Sequence, residues 1–318
     1  MKALWLDGNL SLRDDVPVPS LQHGDALVRV RIAGVCATDL QLLRGYGTFR
    51  GVPGHEFVGE IASAPDAPER LGERVVGEIN IACGRCAQCR AGRPGHCARR
   101  QVLGIRAHNG AFAEYLSLPL ANLHAVPAAI ADRAAVFAEP LAAALQIPQQ
   151  VAIRPGQRTL VVGAGRLGQL IARVLRLSGC DLAVVARHPR QRDLLTQAGI
   201  RWVGEDRVQQ NGADLVVEAT GSPSGFAMAQ RAVRPCGVLL LKSTYAGRIE
   251  ADLSSLVVDE VTVIGSRCGP FAATLRLLEQ GLVDPTPLID ACLPLSQGPA
   301  ALRRAAEPGV MKVLIDCR

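Results

Sequence analysis

Four cysteines, Cys83, Cys86, Cys89 and Cys97, crowd one short loop rich in glycine and arginine, spaced C-x-x-C-x-x-C with the fourth a little further on. Four thiolates so placed suit a tetrahedral, closed-shell Zn(II) with no position left for a substrate. Such a site holds a lobe in place and does no chemistry itself. Thiolates also bind iron–sulfur clusters, and spacing alone leaves that alternative open. A disulfide framework is the expectation for small secreted chains. This chain has 318 residues, and Asp7, Asp14 and Asp15 stand where a secretory segment would be apolar. The dispersed Cys180, Cys236, Cys268, Cys292 and Cys317 read as ordinary thiols.

A second constellation is Gly163, Gly165 and Gly168, a G-x-G-x-x-G that follows the strand-like TLVV and opens a helix through Arg166 and Leu167. The first glycine permits a tight turn, the second lets backbone approach a pyrophosphate, and the third allows close helix–strand packing. The phosphates then meet free N–H groups at the helix N-terminus. An NAD site wants an acid about twenty residues on, at the C-terminal end of the next strand. Asp181 opens that strand and so lies at the wrong end, whereas the correct end holds Arg187, followed by His188, Arg190 and Arg192. Guanidinium groups suit a 2′-phosphate through charge-assisted hydrogen bonds. The expected cofactor is therefore NADP(H), in preference to NAD(H).

The elements that must position these groups fall into two styles. The first hundred or so residues are β-rich, with DALVRVRIAGVC (25–36), HEFVGEIASA (55–64), RVVGEI (74–79) and AFAEYLSLPL (111–120) as alternating or apolar runs broken by Gly and Pro. A short helix is expected after Thr38, which serves as its N-cap, stopping at Gly45. Asp132 is expected to cap DRAAVFAEPLAAALQI, with Pro140 as a kink or break. From about residue 158 strands and helices alternate, which predicts βαβ units and a doubly wound parallel sheet, a Rossmann domain. The last strand, KVLID, lies beyond that series and is assigned to a return to the first domain.

Composition bounds the partners. Hydrophobic residues make up 48% and charged residues 20%, which permits a sizeable core. No apolar run is long enough to span a bilayer, so the expectation is a soluble cytoplasmic chain with no membrane partner. The net charge of +6 is almost all arginine, since Lys2, Lys242 and Lys312 are the only lysines. Those arginines are scattered apart from the group at 187–192. With two tryptophans, three tyrosines and six phenylalanines, base-stacking platforms are hard to assemble, so nucleic acid is not the expected partner.

GVCATDLQLLRG (34–45), GHEFVG (54–59), the four-cysteine lobe, AEPLAAAL (138–145) and GAGRLG (163–168) occur in the order found in the zinc-containing medium-chain dehydrogenase/reductases. The resemblance spans essentially the whole chain. Glu139 in AEPLAAAL is similar to the sorbitol, threonine and glucose dehydrogenase branch, where liver-type alcohol dehydrogenases usually place Cys. The resemblance implies an α/β chain. It would comprise a GroES-like catalytic domain (1–139) carrying the structural zinc lobe (about 80–100), a Rossmann domain (140–271) and a return to the catalytic domain (272–318). It implies a catalytic zinc on Cys36, His55 and Glu139, a plausible donor set with a fourth position open. Glu56 is implied as a second-shell or exchangeable ligand, and Asp39 as the carboxylate that orients the histidine. Thr38 resembles the hydroxyl that passes the alcohol proton towards the nicotinamide ribose.

The activity this implies is hydride transfer between a secondary alcohol, polyol or sugar-like substrate and NADP(H), with zinc as Lewis acid. Alternatives are an NADPH-dependent aldehyde or ketone reductase, or a zinc-stabilised NADPH-binding sensor without turnover. Many relatives place a histidine three residues after Thr38 to end the proton relay. Gln41 stands there, and an amide is no general base. Glu218, Thr220 and Gly221 resemble positions lining the cofactor, and Lys242, Ser243, Thr244 and Arg267 end strands facing its nicotinamide half. Tyr46, Phe49 and Asn80 are candidates for substrate contact. The resemblance also implies a homodimer or homotetramer paired through a Rossmann edge strand, for which VTVIGS (261–266) is the candidate. An exposed apolar edge would otherwise be an aggregation liability.

Overall fold

The computed structural model describes residues 1–45, 47–245 and 247–318. The chain divides into two compact units, one of Met1–Glu139 with Phe271–Arg318, the other Pro140–Pro270.

In the first unit the N-terminal segment forms β1 (Ala3–Asp7), β2 (Asn9–Arg13) and the long β3 (Asp25–Gly34), followed by helix α1 (Ala37–Leu43). Next come β4 (Glu56–Ser63), β5 (Arg74–Gly77), the short β6 (Asn80–Ile81), helix α2 (Ala87–Arg90), β7 (Gln101–Val102), β8 (Tyr115–Pro119) and β9 (Leu123–Ala125). Strand β3 alternates as a half-buried strand must: Ala26, Val28, Val30 and Ile32 enter the core while Arg29 faces water. The core continues through Leu4, Phe57, Phe112 and Leu116.

The region around Asp132 departs from expectation. A single turn, α3 (Asp132–Ala135), is capped by Ala131 rather than Asp132. The Asp132 carboxylate instead pairs with Arg31 and Arg74. The chain breaks before Pro140, and α4 (Ala138–Gln150) takes that proline into its first turn, where the missing N–H costs nothing.

The second unit is built on β10 (Arg158–Val162), α5 (Arg166–Arg176), β11 (Asp181–Val185), α6 (Pro189–Gln197), β12 (Trp202–Val203), β13 (Ala213–Glu218), α7 (Pro223–Ala232), β14 (Val233–Leu241), α8 (Leu253–Val258) and β15 (Thr262–Gly265). All six strands pair in parallel in the order β12-β11-β10-β13-β14-β15. The doubly wound sheet is thus as expected, and its order reverses between β10 and β13, where such sheets bind ligands. One crossover differs from the predicted series: between β12 and β13 the described chain makes only a single 3-10 turn, Glu205–Arg207. The interval there is too short for a helix of ten residues.

After α9 (Phe271–Glu279), β16 (Ile289–Pro294) and α10 (Gly298–Ala305), the chain ends in β17 (Lys312–Asp316). Strand β17 pairs antiparallel with β3, so the first unit's large sheet runs β16-β17-β3-β4-β5-β9, with β8 also on β3. Register does the positioning. Gly34 lies opposite both Glu56 of β4 and Leu314 of β17, so the end of β3, the start of β4 and the start of β17 meet at one edge.

Candidate catalytic metal and cofactor sites

At that edge Cys36, His55 and Glu56 each offer a donor atom, all within 4.8 Å of one another. Cys36 leaves β3 as the N-cap of α1, which places Thr38 inside the helix rather than at its cap. The backbone N–H of Cys36 donates to Asp39 Oδ2 at 2.8 Å. The other Asp39 oxygen lies 3.2 Å from His55 Nδ1. With the Nδ1 proton turned to Asp39, Nε2 is the ring nitrogen left to face a metal, which would displace any proton carried there. One carboxylate therefore fixes two donors. Both Asp39 and His55 are buried. Burial alone would lower the His55 pKa, but the charge of Asp39, aided by Cys36, outweighs it and holds the ring well above the ordinary imidazole value.

Glu56 is 1% exposed. Its Oε2 accepts from Lys312 Nζ at 2.5 Å, and that ammonium also donates to the Val35 carbonyl and lies over the Phe137 ring. Its Oε1 is buried with no hydrogen-bond partner. Position 34 is glycine, and an added Cβ there would stand 2.3 Å from Oε2 and displace the carboxylate from this position. An orphaned carboxylate oxygen beside a thiol and an imidazole is the arrangement a divalent cation completes. Glu139 is half-buried in the first turn of α4, and Glu56 supplies the carboxylate of the group whose donor atoms lie within 4.8 Å of one another. Thr38 Oγ1 lies 4.0 Å from Cys36 Sγ, and Gln41 is half-buried one turn along α1. Phe49 and Asn80 are half-buried, and Tyr46 lies outside the described residues.

The four lobe cysteines also bring their sulfurs within 4.8 Å of one another. N–H donors aim at them: Cys83 N and Arg99 N reach Cys97 Sγ at 3.3 and 3.4 Å, and Arg99 Nη2 reaches Cys83 Sγ at 3.4 Å. The Arg85 backbone N–H, aided by Arg99, brings the Cys83 thiol down to about 5. Backbone N–H groups of Cys89 and Ala98 bring Cys86 down to about 7. Desolvation and the neighbouring thiols push Cys89 up to about 11. A cluster furnished with donors to sulfur is chemically ready for a thiolate-binding cation.

In the second unit Gly163 sits at φ +108, and a Cβ on Gly168 would stand 2.0 Å from the Gly163 carbonyl oxygen. These two glycines serve the turn and the packing. Gly165 meets nothing within 4 Å, leaving open space before the first turn of α5, where Arg166 and Leu167 lie. That cradle fits a pyrophosphate. Beside it is a cavity of about 200 Å³ lined by Gly163, Gly165, Arg187, His188, Gln191, Glu205 and Thr220, among others. Arg187 and His188 are exposed at its lip, and Arg187 Nε is paired with Glu205 Oε1. Arg192 lies apart from the lining: it stacks 4.6 Å over Trp202 and donates to the Ala186 carbonyl.

The buried Glu218 carboxylate, at the end of β13, holds the backbone next to the cavity's Thr220. It accepts from Thr220 N at 2.6 Å, from Gly221 N at 3.2 Å and from Tyr245 Oη at 2.6 Å. Desolvation first, and the Glu218 carboxylate second, push the Tyr245 hydroxyl well above the ordinary phenol range. Lys242 donates to Ser266 Oγ at 2.9 Å, and Arg267 is exposed after β15. Lys312, Glu205 and Gln191 were not legible as site residues, since nothing near them in sequence marks their partners.

Comparison with known proteins finds matches to both units of the chain. The alcohol dehydrogenase GroES-like domain matches residues 22–128, and the zinc-binding dehydrogenase domain matches residues 167–280. D-altritol 5-dehydrogenase of Agrobacterium fabrum is 32% identical, over 94% of this chain and 94% of its own. A Sinorhizobium meliloti 1021 protein described as a zinc-binding dehydrogenase, solved with NADP, superimposes with a TM-score of 0.91 at 28% identity, covering 99% and 98% of the two chains. The alcohol dehydrogenase rspB of Escherichia coli CFT073, solved with NADH, gives 0.90 at 26% identity and 99% coverage of both chains. The fold and the site thus define a zinc-containing medium-chain dehydrogenase, and the chain belongs to the zinc-binding alcohol dehydrogenase family. It is a zinc-containing alcohol dehydrogenase, which sets aside the non-catalytic sensor. No helix among the described residues is long and apolar enough to cross a membrane.

Proposed function

We propose that the chain exchanges hydride between NADP(H) and a secondary alcohol of a polyol or sugar-like substrate. One zinc would be held by Cys36, His55 and Glu56, and a second by Cys83, Cys86, Cys89 and Cys97. The observation that carries the catalytic site is the orphaned Glu56 Oε1, buried beside Cys36 and His55. A cation there removes the cost of that unpaired oxygen. Bound at this site, zinc supplies Lewis-acid polarisation of a substrate oxygen.

The chain's own residues do the rest. Asp39 keeps the His55 ring in one tautomer and ties down the Cys36 backbone. Lys312 holds Glu56 from the side away from its free oxygen. The Thr38 hydroxyl, beside Cys36, both accepts and donates a hydrogen bond, so it takes the substrate hydroxyl proton and hands it on. Gln41 has no basic group, so that proton leaves through water or the cofactor ribose. Arg187 supplies a positive donor for a 2′-phosphate at the cavity lip, with the His188 ring beside it.

The similarity to D-altritol 5-dehydrogenase favours a polyol substrate. A homo-oligomer paired through β15 is part of the same reading. Val263 on that edge strand is 45% exposed, and Leu253, Val257 and Val258 on α8 are also exposed.

Zinc stoichiometry with parallel NADP and NAD titrations tests the proposal. The expected result is two zinc ions per chain and tighter binding of NADP. One zinc per chain, or no binding of either nucleotide, refutes it.

A further inference from the structure

The cavity beside the glycine turn carries an acid as well as a base. Arg187 follows β11, while Glu205 arrives from the next strand over, in the turn after β12, and the two side chains pair across the cavity lip. An acid at the end of β11 is missing, so Glu205 places a carboxylate in the same cavity from a different strand.

The backbone at this corner is already committed. Gln191 Oε1 accepts from the N–H groups of both Arg187 and His188, at 3.1 and 3.2 Å. The Gln191 carbonyl is in turn held by Gln169 Nε2 at 3.0 Å, and Gln169 Oε1 by Arg173 Nη1 at 2.7 Å. Gln169 is fully buried, so the corner is braced from the protein interior. A 2′-phosphate must therefore be bound by side chains. Of the charged side chains lining the cavity, Arg187 favours the phosphate and Glu205 opposes it.

We infer that Glu205 is a specificity-determining residue that restrains the preference for NADP. This rests on the reading of the cavity as a dinucleotide site with Arg187 towards the 2′-phosphate. A carboxylate accepts hydrogen bonds only, so Glu205 suits the 2′-hydroxyl of NAD while keeping Arg187 paired. A 2′-phosphate, which carries up to two negative charges near neutral pH, must draw Arg187 off Glu205 and then sit beside a like charge. The chain accordingly accepts both dinucleotides, with a narrower margin for NADP than Arg187 alone would set.

The test uses the full zinc-loaded chain, titrated separately with NADPH and NADH and followed by nicotinamide fluorescence. Glu205→Gln, nearly isosteric and at a half-exposed position, is expected to tighten NADPH about tenfold and to weaken NADH, the change expected from about one charge-assisted hydrogen bond. Glu205→Asp keeps the charge and is expected to stay within about threefold of the parent for both nucleotides. Arg187→Ala is expected to weaken NADPH more than about tenfold and NADH far less.

If Glu205→Gln leaves the ratio of the two dissociation constants unchanged while Arg187→Ala still weakens NADPH, the role of Glu205 is overturned and the NADP reading stands. If Glu205→Asp tightens NADPH as much as Gln does, the charge argument is wrong. If Arg187→Ala leaves NADPH binding untouched, the NADP reading itself fails. Failure of the parent chain to bind either nucleotide removes the dinucleotide site.

Discussion

Replacing Lys312 by methionine removes the amine that holds Glu56 while keeping most of the volume of the stem. The carboxylate is 1% exposed and one oxygen already lacks a partner, so the variant leaves both oxygens of a buried charge unmatched. Breaking a buried pair from one side costs about 3–5 kcal/mol. The lost contacts of Lys312 with the Val35 carbonyl and the Phe137 ring are included in that measured cost. A double-mutant cycle with Glu56→Gln separates them, because Lys312→Met then no longer strands a charge. The assay is chemical unfolding of the first unit in the presence of a chelator and again with zinc. The expected result is a loss of about 3–5 kcal/mol in the metal-free chain, much of it recovered in the double variant. With zinc the loss is smaller, because a cation beside Glu56 does part of the neutralising. A change below about 0.5 kcal/mol in the metal-free chain, the usual scatter of surface substitutions, would refute the pairing argument. An equal loss with and without zinc would detach Glu56 from the metal.

Glu56→Gln should lower the zinc content from two ions per chain to one, whereas Glu139→Gln should retain both; the reverse pattern, read by metal analysis, would return the ligand role to Glu139. Cys89→Ser should release the lobe zinc, whose counterparts in small zinc domains contribute about 10–16 kcal/mol of apparent binding. Limited proteolysis should then cut the lobe at residues 80–100 first, and a protected lobe would contradict a structural metal there. Val263→Arg puts a charge on the exposed edge of β15 and should yield monomers by light scattering; an unchanged mass in an oligomeric parent would move the interface elsewhere, and a monomeric parent would refute the oligomer.

What the sequence determined is what can be read within a short stretch. The cysteine lobe follows from spacing, because all four thiols lie on one loop and local backbone geometry brings the sulfurs together. The glycine turn is legible from spacing as well, since Gly168 must clear the Gly163 carbonyl five residues before it, although the space Gly163 needs is set by Ala219 and Thr220 at the end of β13. The parallel sheet was legible because each of its buried strands is a short apolar run, and most are followed by a helix.

Tertiary structure decided the rest. The convergence of Cys36, His55 and Glu56 depends on the antiparallel register of β3 with β4, which no local pattern states. Thr38 and Asp132 look like caps in isolation, yet the caps are Cys36 and Ala131, because Asp39 reaches back to Cys36 and Asp132 is drawn to Arg31 and Arg74. The partner of Glu56 lies 256 residues away on β17, and the partner of Arg187 lies in the turn that follows a different strand. Sequence specifies which residues are able to carry charge or bind metal. Which charges are buried together, and so which must be paired, is set only when distant strands share one sheet, because the cost of an unpaired charge arises on burial and does not exist in the extended chain.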